Sequence, residues 1–597
     1  MKSFWKMVLA VIVGSLILSI VSFMLLSGFA SALGSSSAPI PKEGVMSIDM
    51  SKVIIGEQSE EINPLSGLSS GGVTTPVTIG IYEAVKALQI ASSDPGVKMI
   101  YLKTDGNLTN LANLEEFRKA LQEFRTVSGK PVISYIESPT TASYYLASVA
   151  DKVYMTRHGG GSPTITGISS QMIFLKDLLD KLGVKVQFIR HGRYKSAGEM
   201  FVRNEASEEN LSQYKAMLSS LWGTVSGEIA ASRGISAAQL DKAIDNLELC
   251  LPEDFLNASL VDSLMDRNTL KSRIADLAVA QSWDDVSIIP FEGYVTSKLV
   301  PNYGSGKRIA VIYANGDIND GNAKQEVAGD RFASIISKVR ADSTVKAVVL
   351  RVNSPGGSVI ASEKIKVELD LLQEYKPLVA SYGAYAASGG YWISNACDKV
   401  FTDATTLTGS IGVFSMIPDF SGTLKKLVHI NVQTVSSNKH GDMYNLTRPL
   451  DASEQEYMHR SVERIYNDFI SNVSKGRGLS SDYVDEIGQG RVWAGAEAVE
   501  IKLADEVGTL SDAIRWAAAA ASDPDVENWE IEGFPKPMTV LESLTLAFGG
   551  QDPEQELIFA GTPLESTAEV FLDWSERCRT KKADLFFARL PFGIVLE

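Results

Sequence analysis

The chain has 597 residues, 45% of them hydrophobic and 21% charged, with a formal net charge of −16. This is too long for one ordinary domain, and the composition is that of packed domains and not of a disordered chain. The acidic balance argues against a nucleic-acid partner, and three widely spaced cysteines, Cys250, Cys397 and Cys578, imply neither a disulfide framework nor a metal cluster.

The first element is an apolar run. No residue from Met7 to Leu33 is charged, which is long enough to cross a bilayer as a helix. Lys2 and Lys6 precede it, a bias that keeps the N-terminus cytoplasmic and exports the body. Ala30-Ser31-Ala32 fits a signal cleavage site, yet the run exceeds an ordinary signal core of about 7–15 residues. An uncleaved anchor and linker over residues 1–42 is the expectation.

Beyond it the chain repeats itself at a spacing of about 245 residues. Val97-Lys98-Met99-Ile100-Tyr101-Leu102-Lys103 recurs as Val345-Lys346-Ala347-Val348-Val349-Leu350-Arg351. Lys130-Pro131-Val132 recurs as Lys376-Pro377-Leu378, Asp151-Lys152-Val153 as Asp398-Lys399-Val400, and Arg233-Gly234-Ile235-Ser236 as Arg477-Gly478-Leu479-Ser480. The order is kept throughout, which marks a duplication. Each copy alternates short apolar runs with helical patterns. In the second, strands are predicted at 309–313, 345–352 and 378–382, with helices at 332–339 and 359–372. Alternation of this kind implies βαβ crossovers and mainly parallel sheets. The two repeats are placed at 43–300 and 301–522, parted by the turn-rich Pro301–Gly306 stretch. Residues 523–597 form a tail without a readable motif.

Three segments of the second copy stand out. Asn353-Ser354-Pro355-Gly356-Gly357-Ser358 lies between a strand and a helix, where two glycines can turn backbone N–H groups outward to receive an oxyanion. Ala386-Ala387-Ser388-Gly389-Gly390-Tyr391 is rich in small residues, so Ser388 reads either as packing or as a nucleophile. Thr408-Gly409-Ser410-Ile411-Gly412 sets a serine on a tight apolar turn, without the G-x-S-x-G spacing of an α/β-hydrolase. None of the five histidines has a convincing acidic partner, so a Ser-His-Asp triad is not indicated. Lys195, in Arg193-Tyr194-Lys195-Ser196-Ala197, is the better base, provided burial lowers its pKa.

N-S-P-G-G-S, A-A-S-G-G-Y, L-T-G-S-I-G and Y-K-S-A together resemble the signal peptide peptidase A family, in its long duplicated form. The resemblance covers nearly the whole chain to about residue 515. It implies tandem ClpP/crotonase-like domains, Ser410 as nucleophile, Lys195 as base, and Gly356 and Gly357 as oxyanion donors. The decay between copies agrees with it. Thr166-Gly167-Ile168 stands where the second copy has Thr408-Gly409-Ser410, and Asp105-Gly106-Asn107 lacks the glycine pair. Lys195 aligns near Gly441, with Lys439 two places away. Each copy has lost one partner, so the site must join Lys195 of one to Ser410 of the other. Ser436 and Ser437 are candidates to orient the lysine amine.

The expected activity is a membrane-anchored serine endopeptidase with a Ser–Lys dyad, degrading remnant signal peptides and unfolded apolar peptides on the periplasmic side of the inner membrane. A Ser–Lys dyad needs no metal or cofactor, and the sequence holds no G-x-x-x-x-G-K-[ST] loop to feed an ATPase. The resemblance further implies a homo-oligomer, a tetramer, around a cavity. Two alternatives remain at this stage, a crotonase-like acyl-CoA enzyme and a catalytically dead scaffold of the same fold. Export to a compartment without acyl-CoA weighs against the first, and the intact Ser410 and Lys195 against the second.

Overall fold

The computed structural model describes residues 40–60, 76–106, 108–158, 164–299, 306–324, 326–537 and 587–589. The expected anchor and most of the tail lie outside these residues. No helix among the described residues is long and apolar enough to cross a membrane.

Each repeat builds its own sheet. In the first, Ser263–Met265, Lys152–Thr156, Val132–Ile136, Val97–Lys103, Gly44–Asp49 and Ile288–Pro290 lie side by side in that order, all parallel. In the second the order is Val492–Ala494, Leu407–Gly409, Leu378–Ala387, Val345–Ser354, Arg308–Asn315 and Glu530–Phe534, parallel except for the Val492–Ala494 edge. The central strands are almost continuously apolar, as Val345–Leu350 shows, because helices cover both faces of a parallel sheet.

The shared scaffold is held by the residues that the two copies have in common. The 26-residue helices Glu208–Arg233 and Ala452–Arg477 each end on a left-handed glycine, Gly234 and Gly478. Lys130 Nζ donates to the carbonyls of Ala91 and Asp94, and Lys376 Nζ to those of Val339 and Asp342. Asp151 accepts the Val132 N–H at 2.8 Å, and Asp398 the Leu378 N–H at 2.9 Å.

One boundary differs from the sequence reading. Glu530–Phe534 lies beyond residue 522, yet it pairs in parallel with Arg308–Asn315 as the edge strand of the second sheet. Ile288–Pro290 does the same for Gly44–Asp49 in the first. The strand is short and half polar, with too weak a pattern to mark it in sequence.

A third sheet ties the halves together. Its order is Val327–Ala328, Ile318–Asn319, Gly356–Ser358, Phe587–Arg589, Val413–Asp419 and Lys185–His191. Only the last strand comes from the first repeat. It runs antiparallel to Val413–Asp419, with His191 opposite Val413 and Lys185 opposite Asp419. One apolar core also crosses the boundary, running from Leu88, Leu114 and Phe117 to Val311, Val349 and Ile514. Within the same boundary sits the fully buried Arg351. Its guanidinium meets Glu57 at 2.7 Å and Glu116 at 2.8 Å, both from the first repeat, and Asp403 at 3.9 Å from the second. Burial drives the Asp403 and Glu116 carboxyls upward, against the pull of the guanidinium.

Candidate active site

Sheet register assembles the site. The strand pairing that sets His191 against Val413 runs antiparallel, so the segment leaving the first strand and the segment entering the second lie at the same end. Lys195 is four residues beyond His191, and Ser410 three before Val413. A second register adds another hydroxyl. Leu378–Ala387 and Leu407–Gly409 are parallel with Ala387 opposite Gly409, so the next residues, Ser388 and Ser410, emerge side by side. The Ser388 N–H donates to the Gly409 carbonyl at 2.8 Å, and the Thr408 hydroxyl to the Ala386 carbonyl at 2.6 Å.

Three side chains therefore meet. Lys195 Nζ lies 2.7 Å from Ser388 Oγ, 2.9 Å from Ser410 Oγ and 3.1 Å from the Ser410 carbonyl oxygen. All three residues are fully buried. Burial alone holds the Lys195 amine well below the ordinary lysine value.

The lysine loop is clamped on every side. Arg190 donates to the Lys195 carbonyl at 2.9 Å and pairs with buried Glu199 at 3.1 Å. Glu199 also accepts the Ser207 N–H and hydroxyl. From the second repeat, the Gln489 carbonyl accepts the Tyr194 N–H at 2.9 Å. Gly490 packs directly on the lysine backbone: a methyl there would stand 2.6 Å from Lys195 N, at a φ of +78°. Only glycine fits such an approach at such an angle.

The two serines differ in their surroundings. Ser388 has φ 55° and ψ −110°, a sparsely populated conformation that surrounding structure must enforce, and it precedes the helix Gly389–Ser394. Its neighbour Gly389 abuts the glycine pair, since a methyl on Gly356 would stand 2.6 Å from Gly389 N. The Gly356 N–H itself donates to Ser354 Oγ at 3.2 Å, and the Gly389 amide follows Ser388 directly in the chain. Ser410 shares the positive φ, at 51°. Its N–H goes to the Arg491 carbonyl, and the following carbonyl, of Ile411, takes the Gly490 N–H.

Lys195, Ser410, Gly356 and Gly357 thus gather at one place. Ser436 and Ser437 do not. Both are exposed, and the hydroxyls that the lysine amine meets are those of Ser388 and Ser410. The segment of the second copy that matches Lys185–His191, residues 431–436, forms no strand, so no sheet register carries Ser436 and Ser437 to the lysine. Ser388 was visible as a motif but not as a lysine contact, and Gly490 gave no signal at all. His440, Asp451 and Glu454 could offer three metal-ligand atoms, but Arg448 already occupies Glu454 and Asp442 at 2.7 and 2.6 Å.

A buried amine whose pKa is pushed down by desolvation, set between two serine hydroxyls with backbone amides close by, is the equipment of a serine hydrolase. The sequence matches peptidase family S49 over residues 125–281 and 370–523. It is 33% identical to Protease 4 of Haemophilus influenzae, over 91% of this chain and 89% of that one. It is 28% identical to the chloroplastic serine protease SPPA of Arabidopsis thaliana, over 77% of this chain and 68% of the relative. A putative signal peptide peptidase SppA of Enterococcus faecium is 32% identical over 37% of this chain and 65% of its own length. The chain belongs to peptidase family S49 and is a serine protease.

Proposed function

We propose that Ser388 is the nucleophile, Lys195 its general base, and Ser410 the group that aims the lysine. The observation that carries this is the set of contacts around Nζ. A neutral amine has two N–H donors and one lone pair. The Ser410 carbonyl can only accept, so one N–H is committed to it at 3.1 Å. The second N–H can serve either hydroxyl; placed on Ser410 Oγ at 2.9 Å, it leaves the lone pair for the shorter contact, the Ser388 hydroxyl at 2.7 Å. Ser388 is also the serine next to the Gly389 amide, which abuts the glycine pair at Gly356, where a developing oxyanion needs donors. This moves the nucleophile from Ser410, where the resemblance placed it, to Ser388.

In the reaction, Ser388 Oγ attacks a peptide carbonyl while Lys195 takes its proton. The lysine then returns that proton to the departing amine, and water hydrolyses the acyl-enzyme by the same path. The substrates are remnant signal peptides and other unfolded apolar chains, a reading supported by the name of the Enterococcus relative. The uncharged run from Met7 to Leu33 supports an anchor in the inner membrane with the catalytic body on the periplasmic side. Each repeat is read as a ClpP/crotonase-type unit, supported by the glycine pair between strand and helix. Self-association, with a tetramer as the specific form, is supported by the exposed apolar side chains Leu427, Val428, Ile430, Val432 and Val435.

The test is a pair of alanine variants. Ser388→Ala should abolish peptide hydrolysis and labelling by a fluorophosphonate. Ser410→Ala should retain labelling at Ser388 while kcat falls by about 10²-fold through a misaimed base. Labelling of Ser410 in the Ser388→Ala protein, with turnover intact, would overturn the assignment.

A further inference from the structure

The sheet that joins the halves is completed by three residues from far along the chain. Phe587–Arg589 runs antiparallel to Gly356–Ser358, with Gly357 opposite Ala588, and meets Val413–Asp419 through Phe414 opposite Phe587. Without these residues two strand edges would face each other across one strand's width. One edge carries the glycine pair, and the other begins three residues after Ser410. Such a slot holds an extended peptide by its backbone, whatever the sequence of the peptide.

Ala588 occupies the slot as a substrate would. It is fully buried. A methyl on Gly356 would collide with the Ala588 carbonyl oxygen while standing 2.6 Å from Gly389 N, and a methyl on Gly389 would stand 3.1 Å from that same oxygen. The carbonyl of Ala588 therefore lies among the amides next to Ser388, where a carbonyl under attack has to sit. Arg589 fixes the register through an ion pair with Asp317 at 2.9 Å. The strand is only three residues long, so few backbone hydrogen bonds hold it, and an incoming peptide can exchange with it.

We infer that residues 587–589 are an internal occupant of the peptide slot, a substrate-like strand that external peptides must displace. The inference rests on Ser388 as nucleophile. It explains why Lys195, Ser388 and Ser410 are all fully buried in a protein whose substrates must reach them.

The experiment uses the full chain, a fluorogenic apolar peptide and a fluorophosphonate probe. Arg589→Glu, which sets a carboxylate against Asp317, should lower KM for the peptide with kcat unchanged. If the strand fills nine-tenths of the slots, the drop is about tenfold, because apparent affinity scales with the open fraction. Labelling of Ser388 by the probe should quicken in proportion. The double variant Asp317→Arg with Arg589→Glu should restore slow labelling. Equal KM and equal labelling rates in the parent and in Arg589→Glu would overturn the inference while leaving Ser388 as nucleophile. Absence of labelling at Ser388 in every variant would instead overturn the reading of the site, and the inference with it.

Discussion

The two repeats agree wherever they build a domain and disagree wherever they build the site. Lys130 and Lys376 close equivalent turns, Asp151 and Asp398 hold equivalent strand starts. Arg233 pairs with Asp262 as Arg477 pairs with Asp505. At the matched positions Lys103 and Arg351 the copies part. Lys103 reaches Asp49 at 2.5 Å on a partly exposed surface, whereas Arg351 is fully buried among three carboxylates between the halves. Thr141 holds the place that corresponds to Ser388, and its hydroxyl donates to the Gly167 carbonyl at 3.2 Å. Duplication let each copy keep the contacts that fold it and give up those that the other supplied.

The largest expected effect tests the unequal contribution of the repeats to catalysis. Lys195→Arg should lower kcat by about 10³-fold or more, since a guanidinium stays protonated at any usable pH and takes no proton from Ser388. Lys439→Arg, on the exposed segment nearest the matched position of the second copy, should leave kcat unchanged. In the parent enzyme kcat/KM should climb with pH through an apparent pKa below that of free lysine, because only the neutral amine is a base. A flat profile between pH 6 and 10 would show that Lys195 does not titrate in the mechanism.

A smaller effect concerns stability at the boundary. Arg351→Met removes the cation that Glu57, Glu116 and Asp403 share in a buried site, and should cost about 3–5 kcal/mol. Lys103→Met, its counterpart at a partly exposed pair, should cost less than about 1 kcal/mol. Urea unfolding of the two variants checks the difference. Equal costs would mean that the buried cluster does not hold the halves together.

The comparison also shows how far sequence alone could go. The duplication, the parallel α/β repeats and the meeting of Lys195 with Ser410 were legible, because collinear motifs and asymmetric decay leave traces in one dimension. The lysine-to-Ser388 contact was not. It depends on Ala387 lying opposite Gly409, a register that no periodicity encodes, so Ser388 read equally well as a packing residue. Ser436 and Ser437 were drawn in by alignment to a loop that the second copy does not use in the same way. Gly490 escaped notice for a related reason, since its need for a bare α-carbon comes from Lys195, 295 positions earlier in the chain.

The smallest expected effect is thermodynamic, and its sign follows from the buried amine. The folded protein holds Lys195 well below its ordinary value by desolvation, while the unfolded chain protonates it near 10.4. Between those two values the unfolded state binds the extra proton, so this group destabilises the fold at neutral pH and does so less as pH rises toward 10. Lys195→Met keeps the volume and removes the titration. Its melting temperature should exceed that of the parent at pH 7, and the advantage should shrink as the pH approaches 10. No such gain is expected at Lys130, whose amine is engaged by two carbonyls at a chain turn; Lys130→Met should lower the melting temperature instead. A fully buried catalytic lysine and a partly exposed structural one would then shift stability in opposite directions. A difference in melting temperature between Lys195→Met and the parent that stays constant from pH 7 to pH 10 would show that the fold does not lower the amine's pKa.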